Sequence, residues 1–159
     1  MKIKEAKLST KQDVYATFKE NVLIMQIFTE ESYNKNFLKN IYSIDFKTNG
    51  VSIQKRISAT EMKYIGSIAL DSTLVYLAED IAQSCNVEHF GDDTLLIITD
   101  NKGITIAISI DDKKTSYHCH IEVLYQENTL IDFQAEISKK NDVEEFIDEP
   151  REVLKEEKG

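Results

Sequence analysis

The chain has 159 residues, 28 Asp and Glu against 19 Lys and Arg for a net charge of −9, two cysteines, one proline and no tryptophan. That length suits one domain able to bury roughly two thirds of its unfolded surface without staples, and Cys85 and Cys119 are too few for a disulfide framework and read as small buried hydrophobes. The longest apolar run, Val22 to Met25 with Ile27 and Phe28, falls short of the ~20 residues of a membrane helix, and the lysine-dotted start lacks a signal peptide's apolar centre, so a cytoplasmic protein with no membrane partner is expected.

Along the chain, Val14, Ala16 and Phe18 and then Val22, Ile24 and Phe28 alternate as a hairpin around Lys19-Glu20-Asn21, a reading favoured over the helix cap that Thr10 to Asp13 would also allow. Thr29-Glu30-Glu31 places an N-cap before early acids, and Tyr33, Phe37 and Ile41 recur at helical spacing, which predicts a short helix over 30–40. Period two returns with Tyr42, Ile44 and Phe46. Asn49-Gly50 offers the positive φ of a tight turn, and Val51, Ile53 and Ile57 continue the alternation, predicting a hairpin over 42–57. Ser58 to Glu61 has the spacing of a capping box, while Met62, Tyr64, Ile68 and Leu70 equally suit a strand interrupted at Gly66. Leu74, Leu77, Ala78, Ile81, Ala82 and Cys85 then line one helical face, predicting a helix over 72–86.

The clearest pattern is a four-stranded antiparallel meander over about 94–138. Its apolar faces are read as Leu95 and Ile97; Ile104 to Ile110; Tyr117 to Tyr125; and Ile131 to Ile137, each taken at alternate positions. Leu96 and Ile98 make the first strand apolar on both sides, and Asp100 to Gly103, Asp111 to Lys114 and Gln126 to Asn128 supply the turns. Beyond Lys140, Val143, Phe146 and Ile147 fit a helical turn that Pro150 ends. The fold class these readings define is α+β: a single domain over 1–140, with an antiparallel sheet that the 42–57 hairpin can extend and two or three helices on one face, followed by an acidic helix or tail over 141–159.

Function is narrowed only to classes. His118, His120 and Glu122 share the wet face of one strand, and a three-residue turn pairing Tyr125 with Thr129 sets His118 opposite Glu136 and Glu122 opposite Asp132. Two imidazoles and a carboxylate, His118, His120 and Glu136, are ligand types for zinc or iron, which defines a metal-dependent enzyme as one alternative. Solvated residues of an amphipathic strand are the simpler reading. Cys119 cannot pair with either histidine, because alternation sends it to the opposite face. Asp92, Asp93, Asp111 and Asp112 gather at one end of the meander without EF-hand spacing and among lysines. Nucleophile-elbow and phosphate-loop motifs do not occur, and Lys47, Lys55, Arg56 and Lys63 with Tyr42 and Tyr64 are too small a patch for nucleic acid.

Charge is the remaining guide. Residues 1–63 carry a net +4, residues 64–141 a net −8 and residues 142–159 a net −5. The sequence reading is therefore a small acidic protein-binding module without a cofactor. Glu122, Asp132, Glu136, Glu144, Glu145, Asp148 and Glu149 would meet a cationic protein such as a nuclease or nucleic-acid-binding enzyme, in the manner of a toxin-immunity or phage anti-defence inhibitor. The twenty isoleucines and abundant lysine and asparagine fit AT-rich coding, as in a low-GC bacterium or its phage. A self-assembling structural protein, joined through a sheet edge or the tail, is the third class.

Overall fold

The computed structural model describes residues 1–9, 14–29, 40–47, 49–72, 74–78, 85–90, 95–100 and 102–139. Within them run twelve strands: β1 (Lys2–Leu8), β2 (Val14–Lys19), β3 (Val22–Ile27), β4 (Asn40–Lys47), β5 (Gly50–Ser58), β6 (Glu61–Ala69), β7 (Leu74–Leu77), β8 (Cys85–Phe90), β9 (Leu95–Asp100), β10 (Ile104–Asp112), β11 (Ser116–Tyr125) and β12 (Asn128–Ser138). Sheet A has the order β1-β12-β11-β10-β9-β8 and sheet B the order β2-β3-β4-β5-β6-β7. Every neighbouring pair is antiparallel. The chain thus makes one up-and-down circuit in which the first strand meets the last, opened at β1/β2 and at β7/β8 into two six-stranded layers.

This corrects the α+β expectation, since no helix occurs among the described residues. The expected helix over 72–86 is β7 at its start and β8 at its end, while the helix over 30–40 and the C-terminal helix lie outside the described residues. The meander and the 42–57 hairpin are present, but they belong to different sheets. What covers the meander's apolar face is therefore a second sheet. Alternating residues of β2–β6 and β9–β12 form one shared core, including Phe18, Leu23, Met25, Ile44, Phe46 and Ile53 from sheet B and Ile98, Ile106, Ile108, Ile121, Phe133 and Ala135 from sheet A. Each such aliphatic side chain contributes about 1.5–3 kcal/mol on burial. Across the layers the Phe133 ring stacks on Phe18 at 5.9 Å and packs tilted against Phe46 at 5.8 Å.

Three local details depart from the sequence reading. In β9 the core-facing residues are Leu96 and Ile98, opposite Ile108 and Ile106, and Ile97 takes the outer face instead. In the β4–β5 hairpin Lys47 pairs with Gly50, so the turn falls one residue early and Gly50 belongs to β5. Its lack of a side chain serves close packing there, because a Cβ would sit 2.7 Å from the Ile68 carbonyl oxygen. The β11–β12 turn has two residues, Gln126 and Glu127, both left-handed at φ 51° and 66°, and Tyr125 pairs with Asn128. A register shift beyond Leu124 then buries both Leu130 and Ile131 and restores the expected partners, His118 with Glu136 and Glu122 with Asp132.

Two stability measurements follow. Phe133→Ala should lower the free energy of unfolding in urea by about 3–5 kcal/mol, the usual cost of an aromatic deleted from a packed core. The double change Gln126→Asn with Glu127→Gly should raise it by about 1 kcal/mol, since both positions hold the positive φ that Asn-Gly adopts with least strain.

Candidate functional site

The outer face of sheet A carries the residues singled out on the meander. Antiparallel pairing sets β11 between β10 and β12, so His118, His120 and Glu122 stand beside Asp132, Gln134 and Glu136, with Lys2, Glu5 and Lys7 of β1 beyond. The groups are joined into short chains. His118 Nε2 donates to Gln134 Oε1 at 3.0 Å, Gln134 Nε2 donates to Glu5 Oε2 at 3.2 Å, and Lys7 Nζ lies 2.9 Å from Glu5 Oε1. His120 Nε2 meets Asp132 Oδ1 at 2.6 Å. Glu136 faces Lys4 Nζ at 3.9 Å, and Glu122 accepts a 3.4 Å bond from the Thr129 hydroxyl.

These partners decide what the face can do chemically. The two imidazoles spend Nε2 on Gln134 and Asp132, while His118 Nδ1 is buried without a partner among the described residues. His118, His120 and Glu136 thus belong to three separate contacts rather than to one point. No group of three or more His, Cys, Asp or Glu is placed to hold a metal ion among the described residues. Cys119 lies in the core, opposite in direction to both histidines, and burial pushes its thiol up to about 12. At the sheet end Asp112 pairs with Lys139 at 2.5 Å, and Asp92 and Asp93 lie outside the described residues, as do Glu144, Glu145, Asp148 and Glu149. What remains accessible is a mixed-charge surface whose carboxylates each have a hydrogen-bond or ion-pair partner.

Two features of the fold were not anticipated from the sequence. One is a buried polar junction between the sheets. Asp100, read as a turn residue, shares the parity of Leu96 and Ile98 and so enters the core side. Its Oδ1 accepts the backbone N–H groups of Lys102 at 2.8 Å and Ile104 at 3.0 Å, closing the β9–β10 turn. Its Oδ2 accepts the Tyr42 hydroxyl and lies 3.5 Å from Lys55 Nζ, two groups that are cross-strand neighbours in sheet B. Tyr42 and Lys55 are therefore interior partners and not members of a basic patch. Burial raises the Asp100 pKa above the ordinary aspartate value, against the lowering effect of the Ile104 and Lys102 N–H groups and the Lys102 charge.

The other is the outer face of sheet B. Tyr15, Ile24, Ile57, Met62, Tyr64, Leu74, Tyr76 and Leu77 are the exposed large hydrophobics among the described residues, and all lie on strands of this sheet, Leu77 on its core side at the open edge. A shallow depression on that face is lined by Lys47, Asn49, Ser52, Tyr64, Ser67 and Ala69. The sequence reading sets Met62 and Tyr64 on one strand face with Ile68 and Leu70, but a register shift between Tyr64 and Gly66 breaks the alternation, leaving Met62 and Tyr64 exposed and Ile68 and Leu70 buried. No helix among the described residues is long and apolar enough to cross a membrane. No family model, curated protein or solved structure matches the chain.

Two measurements check this description. In Cys85→Ser protein, Cys119 should resist iodoacetamide at pH 8 until the chain is unfolded in guanidinium, read by mass spectrometry. Because the native Asp100 pKa is raised, its favourable contribution is complete below the ordinary aspartate pKa of about 4 and is lost as pH rises through the native value. Asp100→Asn never ionises, so its urea midpoint should close on that of wild type between pH 4 and pH 7; a widening gap would contradict the sign.

Proposed function

We propose that the protein is an acidic protein-binding module that engages a cationic partner through the outer face of sheet A, as an inhibitor of a nuclease or nucleic-acid-binding enzyme would. The observation that carries this reading is the preorganised row of carboxylates, Glu5, Glu122, Asp132 and Glu136, each held by a hydrogen bond or ion pair on one open sheet surface. Side chains already fixed lose little rotamer freedom on docking, so such a face binds at lower entropic cost than free glutamates. The net charge of −9 supports steering of a basic partner toward it, and Glu144, Glu145, Asp148 and Glu149 add negative charge in the sequence that follows β12. A rim of this kind favours fast, salt-sensitive association.

The test is capture on the immobilised full-length chain from bacterial lysate, with the triple variant Glu122→Gln, Asp132→Asn, Glu136→Gln as the matched control. A basic protein should be retained at about 50 mM salt, released by about 500 mM, and lost on the variant. A partner indifferent to both salt and the three substitutions, or no partner, overturns the reading.

A further inference from the structure

The junction of Asp100, Tyr42 and Lys55 holds its groups in an order that ion pairing alone does not require. Asp100 ends β9 in sheet A with its side chain 1% exposed, and Lys55 lies in β5 of sheet B with its side chain 17% exposed. Lys55 Nζ stands 3.5 Å from Asp100 Oδ2, an atom one bond from the carboxyl carbon, and this is beyond the length of about 2.7–2.9 Å usual for a charge-assisted hydrogen bond. The two carboxyl oxygens have different surroundings. Oδ1 is fixed by two backbone N–H groups, those of Lys102 at 2.8 Å and Ile104 at 3.0 Å. Oδ2 receives the Tyr42 hydroxyl, supplied by the strand that pairs with β5. Two N–H donors on one oxygen, an acidic hydroxyl on the other and an amine beside them are the parts of an acyl-transfer centre.

We propose that Lys55 and Asp100 condense into an isopeptide bond that joins sheet B to sheet A. Proton transfer from the Lys55 ammonium to the Asp100 carboxylate first leaves an amine and an acid, an exchange that burial favours because it removes two charges from a dry site, as the raised pKa of Asp100 reflects. Nζ then attacks Cγ, and the negative charge develops on Oδ1 under the Lys102 and Ile104 N–H groups. Tyr42 gives its proton to Oδ2 and takes one from Nζ, the Cγ–Oδ2 bond breaks, and water leaves. One ammonium and one carboxylate thus become one amide and one water, with no change of oxidation state. Oδ1 survives as the amide carbonyl oxygen and keeps both N–H donors, so the β9–β10 turn is undisturbed. Such a condensation is unfavourable between separate molecules in water, but the fold has already brought the groups together and excluded bulk solvent. The bond closes residues 55–100 into a covalent ring that passes through both layers. Because only the folded chain assembles the three groups, the pH comparison with Asp100→Asn applies to chain that still has its full sequence mass.

Intact-mass spectrometry of the full-length chain, purified and held folded for several days, tests the proposal. The protein should become one water lighter than its sequence mass, and trypsin should release Thr48–Arg56 joined to Tyr64–Lys102, with cleavage after Lys55 blocked. Lys55→Arg, which keeps the positive charge without a nucleophilic amine, should retain full mass, as should Asp100→Ala. Tyr42→Phe should slow the loss of water at least about tenfold. Linked wild type should also unfold at a higher temperature than Lys55→Arg. Should a variant fail to fold, the mass and digest of the wild type decide alone. A wild-type chain that keeps its full mass carries an ion pair only, and a loss of water that digestion places elsewhere is a different reaction; either result overturns the proposal. Neither depends on the cationic-partner reading, which concerns the outer face of sheet A.

Discussion

Phe133 is the residue on which the two layers converge. It projects from β12, the second strand of sheet A beside the β1 edge, and meets Phe18 and Phe46, which themselves pack at 6.1 Å on β2 and β4 of sheet B. The three rings fill the space between sheets with large, rigid groups, and shorter aliphatic side chains complete the buried layer around them. Because β12 is also the strand that receives β1, the same element joins the layers to each other and the first described strand to the last. Sheet spacing, register and circuit closure therefore depend on one neighbourhood.

Much of sheet A was legible because period two is a local property. Ile104, Ile106, Ile108 and Ile110 announce their shared face within seven residues, and no partner needs to be known. The errors occur where local pattern is ambiguous. Leu95 to Ile98 are apolar on both sides, so parity alone leaves two answers, and only pairing with Ile106 and Ile108 selects Leu96 and Ile98. Leu74 and Leu77 stand three apart and mimic a helical stripe. At an open sheet edge a strand can expose apolar groups on both faces, which removes the alternation that would identify it. The covering layer was misread for the same reason: an apolar sheet face specifies that it must be buried, and is silent on whether helices or strands do so. Of the candidate site, the cross-strand placement of His118, Glu122, Asp132 and Glu136 was readable, whereas Gln134 as the partner of His118 is a diagonal contact that register alone does not give, and Asp100 as a core residue required knowledge of sheet B, far away in sequence.

The two outer surfaces divide the chemistry. Sheet A presents carboxylates, lysines and imidazoles tied together in short chains. Sheet B presents tyrosines and aliphatic groups around serine-rich centres, a surface that responds to shape and to apolar area. Between them the Asp100, Tyr42 and Lys55 junction satisfies a buried carboxylate with groups from both sheets, so the polar interior is tied to one relative placement of the layers.

The pairing of β1 with β12 also orders events during synthesis. The strands of sheet B follow one another along the chain, so each can find its neighbour soon after it emerges. β1 emerges first and must wait until residues 128–138 exist before its backbone groups have their ladder partner. For that whole interval it is a free strand. Three exposed lysines on such a segment are charges of the kind that discourage an unpaired strand from adding to the unfinished sheet of a neighbouring chain.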